Sequence, residues 1–444
     1  KNKRVLVVGM ARSGLAAAEM LSEIGARAVL SDTKETIDGI DRLKAMGCAV
    51  RLGERSETLV RGADAVIVSP GVPPDAPVIG EARRLGVPLM AELEAASRFV
   101  QGVKIAITGT NGKTTTSALT GEILKNAGKN TYVAGNIGLP LSSVALKTRP
   151  EDYTVIEVSS FQLEHVDTFH PHVAALLNLT PDHLNRHGTM EAYGALKERM
   201  LKNQTERDFF IYNADDPFCR QAAGRQRAKA VPFSRTQAQK TGAWMQDGQL
   251  MVAGRALLTV EELSLPGPHN LENALAAAAI ASELQVPAPV IRHTLRSFQG
   301  VEHRMESVRV LDGVKFINDS KGTNPESSIR AVEAMAVPTV LIAGGEDKGM
   351  RFDGFASAIR QNEHIRHVVL IGKTAETLRE ALEKAGYTAY TLAGVDFEKA
   401  VSLARELAVP GGAVLLSPAC ASFDMFKDFE DRGRRFKEIV GEMK

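Results

Sequence analysis

Gly109-Thr110-Asn111-Gly112-Lys113-Thr114 stands between an apolar run, Lys104-Ile105-Ala106-Ile107, and a helical stretch, and it is the strongest chemical signal in the chain. Glycines let backbone N–H groups curl around phosphate oxygens, and a helix N-terminus adds partial positive charge. In such a loop Lys113 reaches the β- and γ-phosphates of ATP and the Thr114 hydroxyl ligates Mg²⁺. Gly109, Thr110, Asn111, Gly112 and Thr115 complete the expected ATP site. The full GxxxxGK[ST] pattern asks for glycine at position 107, where Ile107 stands.

An enzyme that splits ATP also needs acidic metal ligands at a strand end. Glu157 interrupts the apolar Val155-Ile156-Glu157-Val158, where a carboxylate is costly to bury unless it is paired or metal-bound. His183 follows another apolar strand; by residue type alone it reads as a loop or capping residue as readily as a ligand. Near the N-terminus, Gly9-Met10-Ala11-Arg12-Ser13-Gly14 lacks the middle glycine of a dinucleotide fingerprint but still aims helix N–H groups at a phosphate. Asp32, ending the next strand, suits either a ribose or base contact or a structural turn. Toward the C-terminus, polar clusters end three strands: residues 318–324, 344–348 and 417–423. Lys, Ser and Thr at strand carboxyl ends are where open α/β sheets take ligands, here an anionic one.

The elements that must position these residues alternate between strand and helix. Strands are predicted at 5–8, 29–30 and 65–68, with a turn over 9–14 and a helix over 15–24. The middle block carries strands at 154–158, 172–179 and 208–212, a small antiparallel sheet within 231–265, and helices over 270–283 and 289–297. The last block alternates strands at 314–317, 340–343, 368–371, 389–392 and 413–416 with four helices, an open sheet of five or six strands. At ~150 residues per domain, 444 residues make about three domains, expected at 1–98, 99–300 and 301–444. The fold class is α/β: a Rossmann-like first domain, a P-loop ATPase-type central one and a Rossmann-like last one.

Lys+Arg 54 against Asp+Glu 53 leaves a net charge of +1, which excludes charge-driven binding to nucleic acid or an anionic membrane. The longest apolar run, Ala274 to Ala281, is far short of the ~20 residues of a membrane span and predicts a buried helix, with no membrane insertion. Cys48, Cys219 and Cys420 are odd in number and widely spaced, which favours a reducing, cytoplasmic compartment.

Taken together, these motifs resemble the Mur ligase family. The resemblance runs nearly end to end, through 108–114, Gly135-Asn136-Ile137-Gly138, Asp182-His183, His269-Asn270 and Asn318-Asp319-Ser320-Lys321. Its most specific segments, Ser159-Ser160-Phe161-Gln162-Leu163-Glu164 and Ser417-Pro418-Ala419-Cys420-Ala421-Ser422, mark the members that add D-glutamate. The resemblance implies an ATP-dependent, ADP-forming acid–amino-acid ligase of peptidoglycan precursor synthesis, and so of cell-wall growth, cell shape and division. Its substrates would be UDP-N-acetylmuramoyl-L-alanine and D-glutamate, and the chain would be a monomer. Ser13, Asp32, Thr33, Ser69, Gly71 and Asn136 would bind the UDP-substrate. Asn273, Arg304 and Asp319 would contact the nucleotide, and Lys321, Thr323, Lys348, Ser422 and Phe429 the D-glutamate. Lys113, Glu157, His183 and Lys197 would be catalytic, with two Mg²⁺ ions held by Thr114, Glu157, His183 and a carbamylated Lys197. By residue type alone Lys197 is a lysine on a helix surface.

A folate polyglutamylating enzyme and a ligase for another amino acid share the lysine loop. A nicotinamide-dependent oxidoreductase would need the glycine fingerprint that is missing here, and a P-loop switch without chemistry would ignore UDP-sugars.

Overall fold

Three α/β sheets build the chain in a computed structural model that describes residues 2–443 apart from Asp38, Ile137, Pro266 and 347–349 and, for Asn185 and Glu326, the backbone alone. Two compact units divide it, Lys1–Phe298 and Gln299–Lys444. The first unit holds two of the sheets and the second unit holds the third.

The first sheet comprises β1 (Arg4–Val8), β2 (Arg27–Asp32), β3 (Ala49–Leu52), β4 (Ala65–Val68) and β5 (Leu89–Ala91). They lie all-parallel in the order β3-β2-β1-β4-β5. Alternation of side chains across a strand sends Val5 and Val7 into one core and Leu6 and Val8 into another. Both faces are covered, so the strand is an unbroken apolar run rather than an alternating one.

The second sheet comprises β6 (Val103–Thr108), β7 (Thr131–Gly135), β8 (Tyr153–Glu157), β9 (Val173–Leu176), β10 (Phe209–Asn213), β11 (Lys229–Ser234), β12 (Ala243–Gln246), β13 (Gln249–Val252) and β14 (Arg255–Thr259). Its order is β14-β13-β12-β11-β10-β9-β6-β8-β7. The antiparallel part expected within 231–265 is β12–β14, and it continues the parallel sheet through β11 rather than standing apart. Ala274 to Ala281 form the centre of the helix Pro268–Glu283, and each is at most 3% exposed. Small side chains let that helix lie close to the helix Lys113–Asn126 and to β11.

The third sheet comprises β15 (Glu306–Leu311), β16 (Val314–Asn318), β17 (Thr339–Gly344), β18 (Ile365–Ile371), β19 (Tyr390–Gly394) and β20 (Ala413–Leu416), in the order β15-β16-β20-β17-β18-β19. Only β15 runs antiparallel to its neighbour. The last helix, Phe429–Glu442, covers the β15–β16 end.

Two expectations are corrected. The first helix begins at Arg12, inside the stretch predicted as a turn, because its N-terminal turn folds directly onto the glycine loop. Sequence reasoning also passed over β3, β5, β7 and β15, all of them edge strands.

Candidate active site

The phosphate loop turns off the end of β6 into the helix Lys113–Asn126, beside the end of β8 that carries Glu157. Its shape is held from the next strand connection. Asn178 accepts from Thr110 N through its carbonyl (3.1 Å) and from Asn111 N through Oδ1 (2.8 Å). Thr110 Oγ1 bonds both the carbonyl and the amide of Thr180. Gly112 sits at φ +81°, and a Cβ there would come within 2.3 Å of Asn273 Oδ1. That approach places Asn273 against the loop, where Thr116 Oγ1 also donates to it at 3.2 Å. Lys113 Nζ donates to the Gly109 and Thr110 carbonyls at 2.9 and 2.7 Å.

Lys197 is the largest departure from expectation. It is not a surface lysine: 1% of it is exposed, and its Nζ donates to Gly109 O at 2.9 Å. The helix Met190–Glu198 turns it inward, over the Tyr193 ring at 4.5 Å. Burial, followed by the neighbouring ammonium of Lys113, pushes the Lys197 amine well below the usual lysine range. Burial and the Lys113 charge thus both disfavour the protonated form of the amine at the root of the phosphate loop.

Glu157 is 2% exposed. Its Oε1 accepts from Asn136 Nδ2 at 2.7 Å, and its Oε2 is buried with no hydrogen-bond partner. A buried, half-satisfied carboxylate at the end of β8 suits a hard, oxygen-seeking cation, and the buried Thr114 in the first turn of the helix Lys113–Asn126 offers a hydroxyl oxygen as a second donor. Among the described residues no group of three or more His, Cys, Asp and Glu side chains gathers into a metal site. That donor set fits Mg²⁺, which takes one or two carboxylates and completes its shell with phosphates and water.

His183 lies in the left-handed region (φ +53°) at the head of the helix Leu184–His187, half-exposed, with its ring 4.8 Å from Phe161. Sequence reasoning missed its neighbour His187, whose side chain is 2% exposed. His187 bonds Ser160 Oγ at 3.0 Å and stacks on Tyr193 at 5.2 Å, and burial pushes its imidazole pKa down. Arg186 also went unnoticed. It clasps Glu164 through two hydrogen bonds and reaches Val72 O at 3.0 Å, tying the β4 connection to the β8 connection. Asn178, placed where an apolar strand run ends, carried the one sequence signal that could have marked such a residue.

A cavity of about 1180 Å³ opens between the first and second sheets, and Ser13, Asp32, Thr33, Ser69, Gly71 and Asn136 all line it. Asp32 accepts from the backbone of Met10 (2.6 Å) and of Lys34 (3.0 Å), so it shapes the glycine loop as a turn residue at the cavity's edge. Gly14 admits no side chain: a Cβ would meet Gly9 O at 1.9 Å. Arg12 Nη2 closes one side by donating to Gly138 O at 3.0 Å. Asn136 is common to both places, lining the cavity and donating to Glu157.

The second unit gathers its own polar cluster at the carboxyl ends of β16 and β20. Asp319, 5% exposed, accepts from Ser417 Oγ at 2.7 Å and from Met305 N at 3.2 Å. Burial outweighs these bonds and the Arg304 charge, and pushes its carboxyl up to about 6. Ser422 is buried, Lys321, Thr323 and Phe429 are half-buried, Arg304 is exposed, and Lys348 lies outside the described residues.

Residues 3–91 match the Mur ligase MurD-like N-terminal domain, 107–281 the Mur ligase middle domain and 303–420 the Mur ligase glutamate ligase domain. The chain is 44% identical over 448 residues to the UDP-N-acetylmuramoylalanine–D-glutamate ligase of Caldanaerobacter subterraneus subsp. tengcongensis, covering 100% of this chain and 99% of that one. To the protein of that name from Pelotomaculum thermopropionicum it is 46% identical over 449 residues, covering 100% and 98%. Among solved structures, the UDP-N-acetylmuramate–alanine ligase of Thermotoga maritima shares the fold, with a TM-score of 0.63 at 20% identity over the whole of both chains. Family models, full-length relatives and fold agree along the whole sequence: the chain belongs to the Mur ligase family.

Proposed function

We propose that this chain joins D-glutamate to UDP-N-acetylmuramoyl-L-alanine at the expense of ATP, forming ADP and phosphate. One observation carries the reading. Asn136 lines the large cavity and also holds Glu157 beside the phosphate loop, so a carboxylate delivered through the cavity arrives where a γ-phosphate is held. The full-length relatives bear the name of that reaction.

In the first step the substrate carboxylate oxygen bonds to the γ-phosphorus as the bond to ADP breaks, leaving an acyl phosphate. Phosphoryl transfer of this kind is mostly positioning and charge stabilisation. Loop N–H groups and Lys113 grip the phosphates, and moving Lys113 Nζ off the Gly109 and Thr110 carbonyls frees it to do so. Thr114 and Glu157, and His183 with Lys197, would hold magnesium, which would neutralise the charge developing on the phosphoryl oxygens. For Lys197 to serve there it must become an anion. Its amine, once deprotonated, would add to the carbon of CO₂ and release a further proton, giving a carbamate; burial, which lowers its pKa, favours the first loss. In the second step the D-glutamate amine attacks the acyl carbon, a tetrahedral intermediate collapses, and phosphate leaves.

The division of labour is proposed to follow three domains: 1–98 for the UDP-sugar, 99–300 for ATP and 301–444 for the amino acid. Asn273, Arg304 and Asp319 would hold the nucleotide, and Lys321, Thr323, Lys348, Ser422 and Phe429 the D-glutamate. The test is phosphate release with ATP, Mg²⁺ and UDP-N-acetylmuramoyl-L-alanine, comparing D-glutamate, L-glutamate, L-alanine and a diamino acid. Release with D-glutamate alone is expected. Release with another acceptor overturns the substrate, and release with none overturns the reaction.

A further inference from the structure

Arg432 is fully buried, yet no carboxylate lies within hydrogen-bonding distance of it among the described residues. A buried charge is costly unless its hydrogen bonds are satisfied, so the partners reveal what the charge is for. Its Nε donates to Ser320 Oγ at 2.9 Å and its Nη2 to Ser320 O at 2.8 Å. Nη1 and Nη2 both reach Cys420 O at 3.2 Å, and Nη1 reaches Ala421 O at 3.3 Å. Ser320 Oγ itself donates to Phe429 O at 2.8 Å.

One guanidinium therefore joins three chain segments that are distant in sequence. They are the connection after β16, the connection after β20 and the head of the helix Phe429–Glu442. Lys321 and Ser422, expected on the D-glutamate carboxylates, directly follow the gripped Ser320 and Ala421, and Phe429 lies one turn before Arg432. A trans peptide points its C=O and N–H in opposite directions. Drawing the Ala421 carbonyl inward therefore turns the Ser422 N–H away from Arg432. The planar fork can satisfy several acceptors in fixed directions, which a lysine ammonium cannot.

We infer that Arg432 is the positioning residue of the acceptor amino-acid site, holding the 320–321, 420–422 and 429 segments in the one arrangement that receives a dicarboxylate. The inference rests on the proposed function for the identity of the acceptor. Its test is steady-state kinetics of Arg432→Lys, which keeps the charge and loses the fork. The KM for D-glutamate is expected to rise about tenfold or more, the scale of a lost charge-assisted hydrogen bond. ADP formed in a single turnover without acceptor is expected to stay within about threefold of wild type. A purely structural role would lower the melting temperature and leave the D-glutamate KM of the folded enzyme unchanged, and that result overturns the inference. So does an ADP burst that falls in step with the acceptor KM. If Arg432→Lys does not fold, Ser320→Ala removes one gripped hydroxyl, and a rise of about threefold in the same KM is expected. Should the wild type use a different amino acid, the proposed acceptor is wrong, and the same KM comparison with that amino acid decides the role of Arg432.

Discussion

Replacing Asp319 by asparagine should stabilise the second unit while impairing the enzyme, and the size of the gain depends on pH in a calculable way. Burial raises the carboxyl from an unfolded value of 3.8 to about 6 in the folded chain. A raised carboxyl pKa means that the folded state binds the proton more tightly than the unfolded state. Stability is thus greatest below 3.8, is lost as pH rises through about 6, and stays at the lower level above that. At about 1.36 kcal/mol per pH unit the penalty is about 3 kcal/mol at pH 7.5 and about half of that at pH 5. Asparagine removes the ionisation and can keep the bonding. Its Oδ1 can accept from Met305 N, while its Nδ2 donates to Ser417 Oγ, which is free to turn its proton to Ser328 Oγ at 2.8 Å. The assay is a urea titration of the full chain read by hydrogen exchange in peptides from 303–344 and 413–443, which separates the second unit from the first. A gain approaching 3 kcal/mol at pH 7.5 that halves at pH 5 is expected, with slower turnover as the outcome that the proposed nucleotide role of Asp319 requires. A gain independent of pH, or a loss of stability at pH 7.5, refutes the argument that burial of this charge is a standing cost.

Two further outcomes are expected. Gly112→Ala places a Cβ within 2.3 Å of Asn273 Oδ1 at φ +81°, so it should cost about 1–3 kcal/mol of stability and raise the KM for ATP; a melting shift with an unaltered ATP KM would sink the proposed role of that approach. Incubation with ¹³C-bicarbonate should give a carbamate carbon resonance that Lys197→Met abolishes and that fades on acidification as the amine regains its proton. A wild-type spectrum without that resonance refutes the modification.

The first ligase residues to be readable were those whose chemistry is local. The phosphate loop needs only a strand, a glycine turn and a helix in succession, and 104–126 supply them in that order. Glu157 was readable because a carboxylate inside an apolar strand must have a reason to be there. Central strands such as β1, β17 and β20 were equally plain, since burial on both faces leaves an unbroken apolar run. The edge strands β3, β5, β7 and β15 were not, because an edge is partly solvated: at most one residue of each is buried, which leaves no continuous apolar run.

Residue order alone thus determined the α/β class, the ATP loop, the carboxylate beside it and the family resemblance. Only the tertiary structure decided that Lys197 is buried against Gly109, that Asn178 shapes the loop, that Asn136 both lines the cavity and holds Glu157, and that Arg432 binds three segments together. The physical reason is common to all four. A side chain's burial and bonding depend on neighbours brought together from 21, 67, 88 or 112 residues away, and no local spacing records them.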